Sequence, residues 1–243
     1  MSLCDRVRSA KVFKEKEGIL EDCFAGKDCL ILSCGPSFNE NDENKLRDFA
    51  KGKKVACIKQ AQIRYSKITD FHFLNDNNLL KYHHSPETLK FCCSGFLDEG
   101  RYETFAGISP DVFFKIDEHS GDTISDCNFD DFEFSQTRRL GPGIMYETVL
   151  PTLLHMGFKT LYVIGWDYTT AKDGTLKHFY NESIAKKVLR NTGEKIAELA
   201  YKEKEHLIES TDKLSDYLED RGIKMYLISK VSELSKKLER IEI

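Results

Sequence analysis

Seven short apolar runs divide this chain into strands and connections. They are Cys29–Ser33, Lys54–Ile58, Phe71–Leu74, Leu89–Cys93, Val112–Ile116, Leu161–Gly165 and Lys224–Ile228. Most are continuously apolar rather than alternating, as strands covered on both faces must be. Polar or amphipathic stretches separate them, with helices expected over Asn41–Lys51, Ile144–Met156 and across 183–221, the last interrupted at Asn191-Thr192-Gly193. Strands alternating with helices predict an α/β fold: a Rossmann-like, mostly parallel sheet with helices on both faces. The 243 residues are read as one domain, 1–243, in which the acidic, break-rich segment 118–140 forms a long loop or lid and 183–221 a long outer helical segment.

Composition narrows the function classes. A net charge of −4 gives no overall bias towards nucleic acid, so any anion site must be built locally. The eight cysteines form no C-x-x-C pair, and several lie in apolar runs, which predicts buried thiols in a reducing, cytoplasmic setting and no zinc site. Adjacent Cys92 and Cys93 fall in such a run, where thiols are usually inert. No run of 18 apolar residues is present, and the N-terminal MSLCDRVRSAKVF lacks the apolar core of a signal peptide. The basic tail KVSELSKKLERIEI reads as a closing helix rather than an anchor.

Three corners carry possible chemistry. The first run stops at Cys34-Gly35-Pro36-Ser37, ahead of a helix-like segment. Glycine there permits a sharp turn and close approach of backbone to a ligand, and the helix behind would offer free N–H groups to an anion. It contains one glycine, so it is neither G-x-G-x-x-G nor a Walker loop; the plain alternative is a strand-to-helix turn. The second corner is Arg138-Arg139-Leu140-Gly141-Pro142-Gly143, before the Ile144 helix. Arginines beside glycines at a helix start suit a phosphate, and a solvated basic pair is the alternative. In the third, the strand ending Gly165-Trp166-Asp167 is followed by Asp173-Gly174 and His178-Phe179-Tyr180. An Asp at a strand's carboxyl end with a His close behind is a site candidate; a capping Asp and a structural His are the alternative.

Taken together, strand–Gly-Pro-Ser, Arg-x-x-x-Gly before a helix, and Gly-x-Asp at a strand end resemble the bacterial lipooligosaccharide sialyltransferases, which use CMP-activated nonulosonic acids. The third segment also resembles the motility accessory factor and 6-hydroxymethylpterin diphosphokinase-like family, through Gly165, Asp167, Asp173, Gly174 and His178. The resemblance runs from about Lys27 to Ile228 and implies a transferase using a nucleotide-sugar donor and a glycan or protein acceptor. By position it implies nucleotide binding by Cys34, Gly35, Pro36, Ser37, Lys59, Gln60, Asn75, Arg139, Gly141 and Gly143. It implies chemistry at Asp167, Tyr168, His178 and Tyr180, with His178 as general base and His206 as the other histidine in contention. Lys59 stands where the family has asparagine, and lysine grips phosphate as a point charge. Gly141-Pro142 replaces Thr-Ser, removing two hydroxyls and one N–H.

The sialyltransferase-like scheme requires no cofactor or metal. The rival diphosphoryl transfer from ATP needs Mg²⁺, with Asp167 and either Asp173 or Asp76 as ligands. A third reading is a non-catalytic nucleotide-binding module whose 183–221 segment binds a partner. None involves nucleic acid or an integral membrane segment, and a homo-oligomer is left open.

Overall fold

The computed structural model describes residues 1–75, 82–117, 133–139, 143–167, 208–230 and 232–243. Among them are nine strands: β1 (Asp28–Leu32), β2 (Lys54–Ile58), β3 (Phe71–Asn75), β4 (Leu89–Ser94), β5 (Val112–Asp117), β6 (Thr137–Arg139), β7 (Thr160–Ile164), β8 (Lys224–Leu227) and β9 (Glu239–Arg240). All pair parallel in one sheet, ordered β6-β5-β4-β3-β2-β1-β7-β8-β9. The chain starts in the middle, builds outward to β6, then returns to the other side of β1 and continues to β9. The fold is a Rossmann-like α/β fold.

Side chains alternate across the sheet. Cys29 and Ile31 of β1 enter one core layer, and Leu30 and Leu32 the other. The first layer is covered by α1 (Leu3–Ser9), α2 (Phe13–Leu20), α6 (Leu150–His155) and α7 (208–219), whose buried residues include Val7, Leu20, Leu153 and Leu214. The second is covered by α3 (Glu43–Ala50), α4 (Ala61–Tyr65) and α5 (Glu99–Ala106). Asp42 caps α3 by accepting from the N–H groups of Asn44 and Lys45, and Gly107, at φ 63°, ends α5 in the left-handed form.

All seven expected strands are present, with bounds shifted by one residue at most. Two differences have physical causes. The end of the expected 118–140 loop pairs with β5 as β6, and 118–132 and 140 lie outside the described residues. The expected Ile144–Met156 helix is a π-helical turn, Met145–Val149, running into α6. Pro151 has no N–H to give the Glu147 carbonyl four residues earlier, and its ring crowds that carbonyl. The helix widens, and the Arg138 Nε donates to the Glu147 carbonyl at 2.9 Å. Of the expected 183–221 segment, only 208–221 is described, and it contains α7. No helix among the described residues is long and apolar enough to cross a membrane.

Candidate functional site

Connections leave β1 and β7 in opposite directions, so the crevice beyond their carboxyl ends is the topological switch point, where ligands of open α/β sheets bind. The first and third corners, at Gly35 and Gly165, lie there and interlock. The Gly35 N–H donates to the Gly165 carbonyl at 2.6 Å, and the Gly165 N–H to Ser37 Oγ at 2.9 Å. A Cβ on Gly35 would lie 2.5 Å from Asp167 Oδ2 and 2.6 Å from the Gly165 carbonyl. Gly165 has φ +77°, and a Cβ there would lie 2.5 Å from the Ser33 carbonyl. The close approach that Gly35 permits is therefore to the end of β7.

Asp167 completes this contact. Its Oδ2 accepts the Ser37 N–H at 2.6 Å, and the residue is only 2% exposed. The anion at the start of the short 3-10 turn Pro36–Asn39 is thus the protein's own carboxylate. Burial pushes its pKa above the ordinary value; the Ser37 hydroxyl and N–H and Ser229 pull it back, while the charge of Glu40 adds to the rise. Asp167 Oδ1 is buried without a hydrogen bond among the described residues. The loop after β8 closes over this end of β7: Ser232 Oγ donates to the Trp166 carbonyl at 3.1 Å, and the Glu233 N–H to the Asp167 carbonyl at 3.3 Å. Cys34 contacts the Ile58 carbonyl through Sγ at 3.3 Å, and burial pushes its thiol up to about 11, so it is a neutral donor.

The neighbouring strand ends hold a polar cluster. Lys59, just past β2, has φ 47°, a left-handed conformation uncommon for a residue with a Cβ. Its N–H donates to the Phe73 carbonyl at 2.9 Å, and its carbonyl meets His72 Nε2 at 2.9 Å. Gln60 is 3% exposed and leads into α4, with Oε1 3.5 Å from Cys34 Sγ. Asn75 ends β3; its carbonyl accepts from the Tyr102 hydroxyl at 3.3 Å, while its Oδ1 is buried with no partner among the described residues. His72 and His84 join through Nδ1 and Nε2 at 2.7 Å. Neither histidine stood out in the sequence, although a histidine between two phenylalanines in a buried strand was a usable signal.

The second expected corner is divided. Arg138 is buried, with its guanidinium spent on the Glu147 and Glu133 carbonyls, so this arginine is a fold element. Arg139 pairs with Asp117 through the backbone. Although β6 is five strands from β1, about 24 Å at about 4.8 Å per strand, the helix after Gly143 returns towards the switch point. Gly143, at φ 101°, accepts the Tyr146 and Glu147 N–H groups, and the Tyr146 ring centre lies 5.6 Å from that of Trp166. Gly141, Tyr168, His178 and Tyr180, like Asp76, Asp173 and His206, lie outside the described residues.

A polar cavity of about 300 Å³ opens between residues 40–45, 228–230 and 241–243, with Glu40, Lys45, Ser229 and Glu242 in its wall. None of the sequence-predicted site residues lines it. No group of three His, Cys, Asp or Glu side chains set to hold a metal occurs among the described residues. The seven described cysteines are free thiols, six of them buried. No protein-family model matches the chain, and no curated protein matches it.

Proposed function

We propose that the chain is a nucleotide-dependent transferase of the glycosyltransferase kind, taking an activated acidic sugar, CMP-linked in the closest reading, to a glycan or protein acceptor in the cytoplasm. The observation that carries the reading is the grouping of Lys59, Gln60 and Asn75 at neighbouring strand ends beside the switch point, with Asn75 Oδ1 buried and without a partner among the described residues. A buried acceptor without a donor calls for an N–H or O–H from a ligand, and Lys59 supplies the positive charge that a phosphate needs. Asp167 and Gly35 belong to the same rim as its framework, since their polar groups are bonded to each other's strands.

In this scheme an acceptor hydroxyl attacks the anomeric carbon in line, breaking its bond to the nucleotide phosphate. His178 takes the hydroxyl proton as general base. Lys59, Arg139 and the hydroxyls of Tyr168 or Tyr180 stabilise the charge gathering on the departing phosphate.

The buried Asp167 carboxylate, whose Oδ1 has no hydrogen bond among the described residues, favours one second reading, Mg²⁺-dependent diphosphoryl transfer from ATP to a small hydroxymethyl heterocycle. Thermal shift with CMP, CDP, ATP and ATP–Mg²⁺ separates these readings, because a ligand of the native state raises the melting temperature according to its affinity. Stabilisation by CMP or CDP without metal supports the glycosyl transferase. A strict Mg²⁺ requirement supports diphosphoryl transfer. Silence towards all four overturns both and leaves a non-catalytic module.

A further inference from the structure

We propose that His72 and His84 form a neutral clasp that sets the backbone of the Lys59 corner, which makes them positioning residues for the ligand end of β2. The proposal rests on reading Lys59 as a ligand contact. β3 and the segment 82–88 hold this corner from one side. The Lys59 N–H is fixed on the Phe73 carbonyl and the Lys59 carbonyl on His72 Nε2, each at 2.9 Å. A left-handed non-glycine residue persists only where its surroundings over-determine it, and here both flanking peptide groups are taken.

The tautomers follow from these contacts. A carbonyl only accepts, so His72 Nε2 carries the hydrogen, and in the neutral ring Nδ1 is bare. The 2.7 Å contact to His84 must then be a bond donated by His84 Nε2–H. His84 is anchored in turn, because the carbonyl of adjacent His83 accepts from Gln62 Nε2 on α4. The relay runs from α4 through residues 83 and 84 to β3, and ends at the peptide that places Lys59 and Gln60.

The join needs a neutral His72, whose bare Nδ1 accepts from His84 Nε2–H. Protonating His72 would set Nδ1–H against His84 Nε2–H and break the join. The charged and titratable groups facing the pair are His83, Lys90 and Asp111 around His84, and Tyr82 beside His72. Lys90 and His83 oppose charge on His84, and Asp111 favours it. Burial dominates, holding His72 at about 3 and His84 at about 4.

The test uses the full chain labelled with ¹⁵N. In the wild type at pH 7, the imidazole spectrum should show one histidine as the neutral Nε2–H tautomer with its Nδ1 accepting a hydrogen bond, unchanged down to pH 5.5. A charged or Nδ1–H His72 overturns the proposal, and this measurement needs no variant. His84→Phe should raise amide exchange at Lys59 and Gln60 about tenfold beyond any change at Leu30 or Val55, and weaken CMP binding about five- to tenfold. His72→Gln, whose side-chain N–H reaches for the Lys59 carbonyl, should restore most of the protection that His72→Phe loses. Exchange rising equally at the corner and in the strand core reduces the pair to core packing and overturns the proposal. If the tautomer and exchange results hold while the wild type binds none of CMP, CDP or ATP, the clasp stands and the nucleotide reading fails.

Discussion

Asp167 Oδ2 lies 2.6 Å from the Ser37 backbone nitrogen, across 130 residues of sequence, and closes the turn after β1 onto the end of β7. The two central strands, whose connections diverge, are therefore joined at their carboxyl ends by a charge-assisted bond as well as by their ladder. The same rim carries Lys59 and Gln60, just past β2, and Asn75, at the end of β3.

Asp167→Ala should lower unfolding free energy by about 1–3 kcal/mol, the cost of a buried N–H left without an acceptor. Asp167→Asn keeps an oxygen for the Ser37 N–H and should lose less. Gly35→Ala should cost about 1–3 kcal/mol through forced displacement, because the new methyl would meet backbone and carboxylate oxygens within 2.6 Å. Urea denaturation of the three variants checks the order.

Asp167 also has a pH signature. Its folded pKa is raised above 3.8, so the folded state binds its proton more tightly than the unfolded state. The stability this contributes is complete below pH 3.8 and is lost as pH rises through the folded value. Subtracting the Asp167→Asn curve from that of the wild type should isolate a difference that favours the wild type most at the acid end. The histidine pair has the opposite sign. Its folded pKa values, about 3 and about 4, lie below 6.5, so its contribution is complete above pH 6.5 and is lost towards pH 4. A difference curve for Asp167 that favours the wild type most above pH 6 would contradict the raised value.

Arg138 and Pro151 should be coupled. Arg138→Ala removes the donor to the Glu147 carbonyl and should cost about 1–3 kcal/mol. In a Pro151→Ala background, residue 151 regains an N–H that can serve that carbonyl, and the same arginine substitution should cost about 1 kcal/mol less. A double-mutant cycle by denaturant unfolding measures the interaction. Additive effects would mean that the arginine does not cap the carbonyl freed by the proline.

How much of this was legible in the sequence depended on where the physical cause lay. Strands such as Cys29–Ser33 and Lys54–Ile58 were readable because burial on both faces demands continuous apolar runs. β6 and β9 were not, because Thr137–Arg139 and Glu239–Arg240 join the sheet at its edges through backbone bonds that leave no mark in composition. Gly35 was readable as a position of close approach, but its partner was not: Gly165 and Asp167 are distant in sequence, and only the β1–β7 register brings them together. Pro151 was a visible helix disruptor inside an apolar pattern that otherwise reads as one helix. Arg138 and Arg139 looked alike in sequence, and the fold alone assigns Arg138 to buried carbonyls.

Asp111 gathers a second buried network, on the His84 side of the clasp. It is 5% exposed, takes Arg8 Nε at 2.9 Å and the Lys90 N–H at 2.8 Å, and so ties α1 to the start of β4. Asp111→Ala leaves the Lys90 N–H unpaired and Arg8 without its carboxylate, and should cost about 3 kcal/mol. Circular dichroism melts should show the loss.

Lys59 offers the sharpest separation of folding from function. At φ 47° a side chain is disfavoured and glycine is not, so Lys59→Gly should leave stability within about 1 kcal/mol of the wild type. Its charge would be gone, and binding of an anionic nucleotide should weaken about tenfold or more, a deficit that shrinks as salt screens the wild-type advantage. Lys59→Arg keeps the charge and the strain and should bind nearly as the wild type does. Titration calorimetry at low and high salt, beside urea unfolding of the same samples, reads both quantities. Undiminished affinity in Lys59→Gly would remove lysine from the phosphate contact and move the anion site elsewhere along the strand ends.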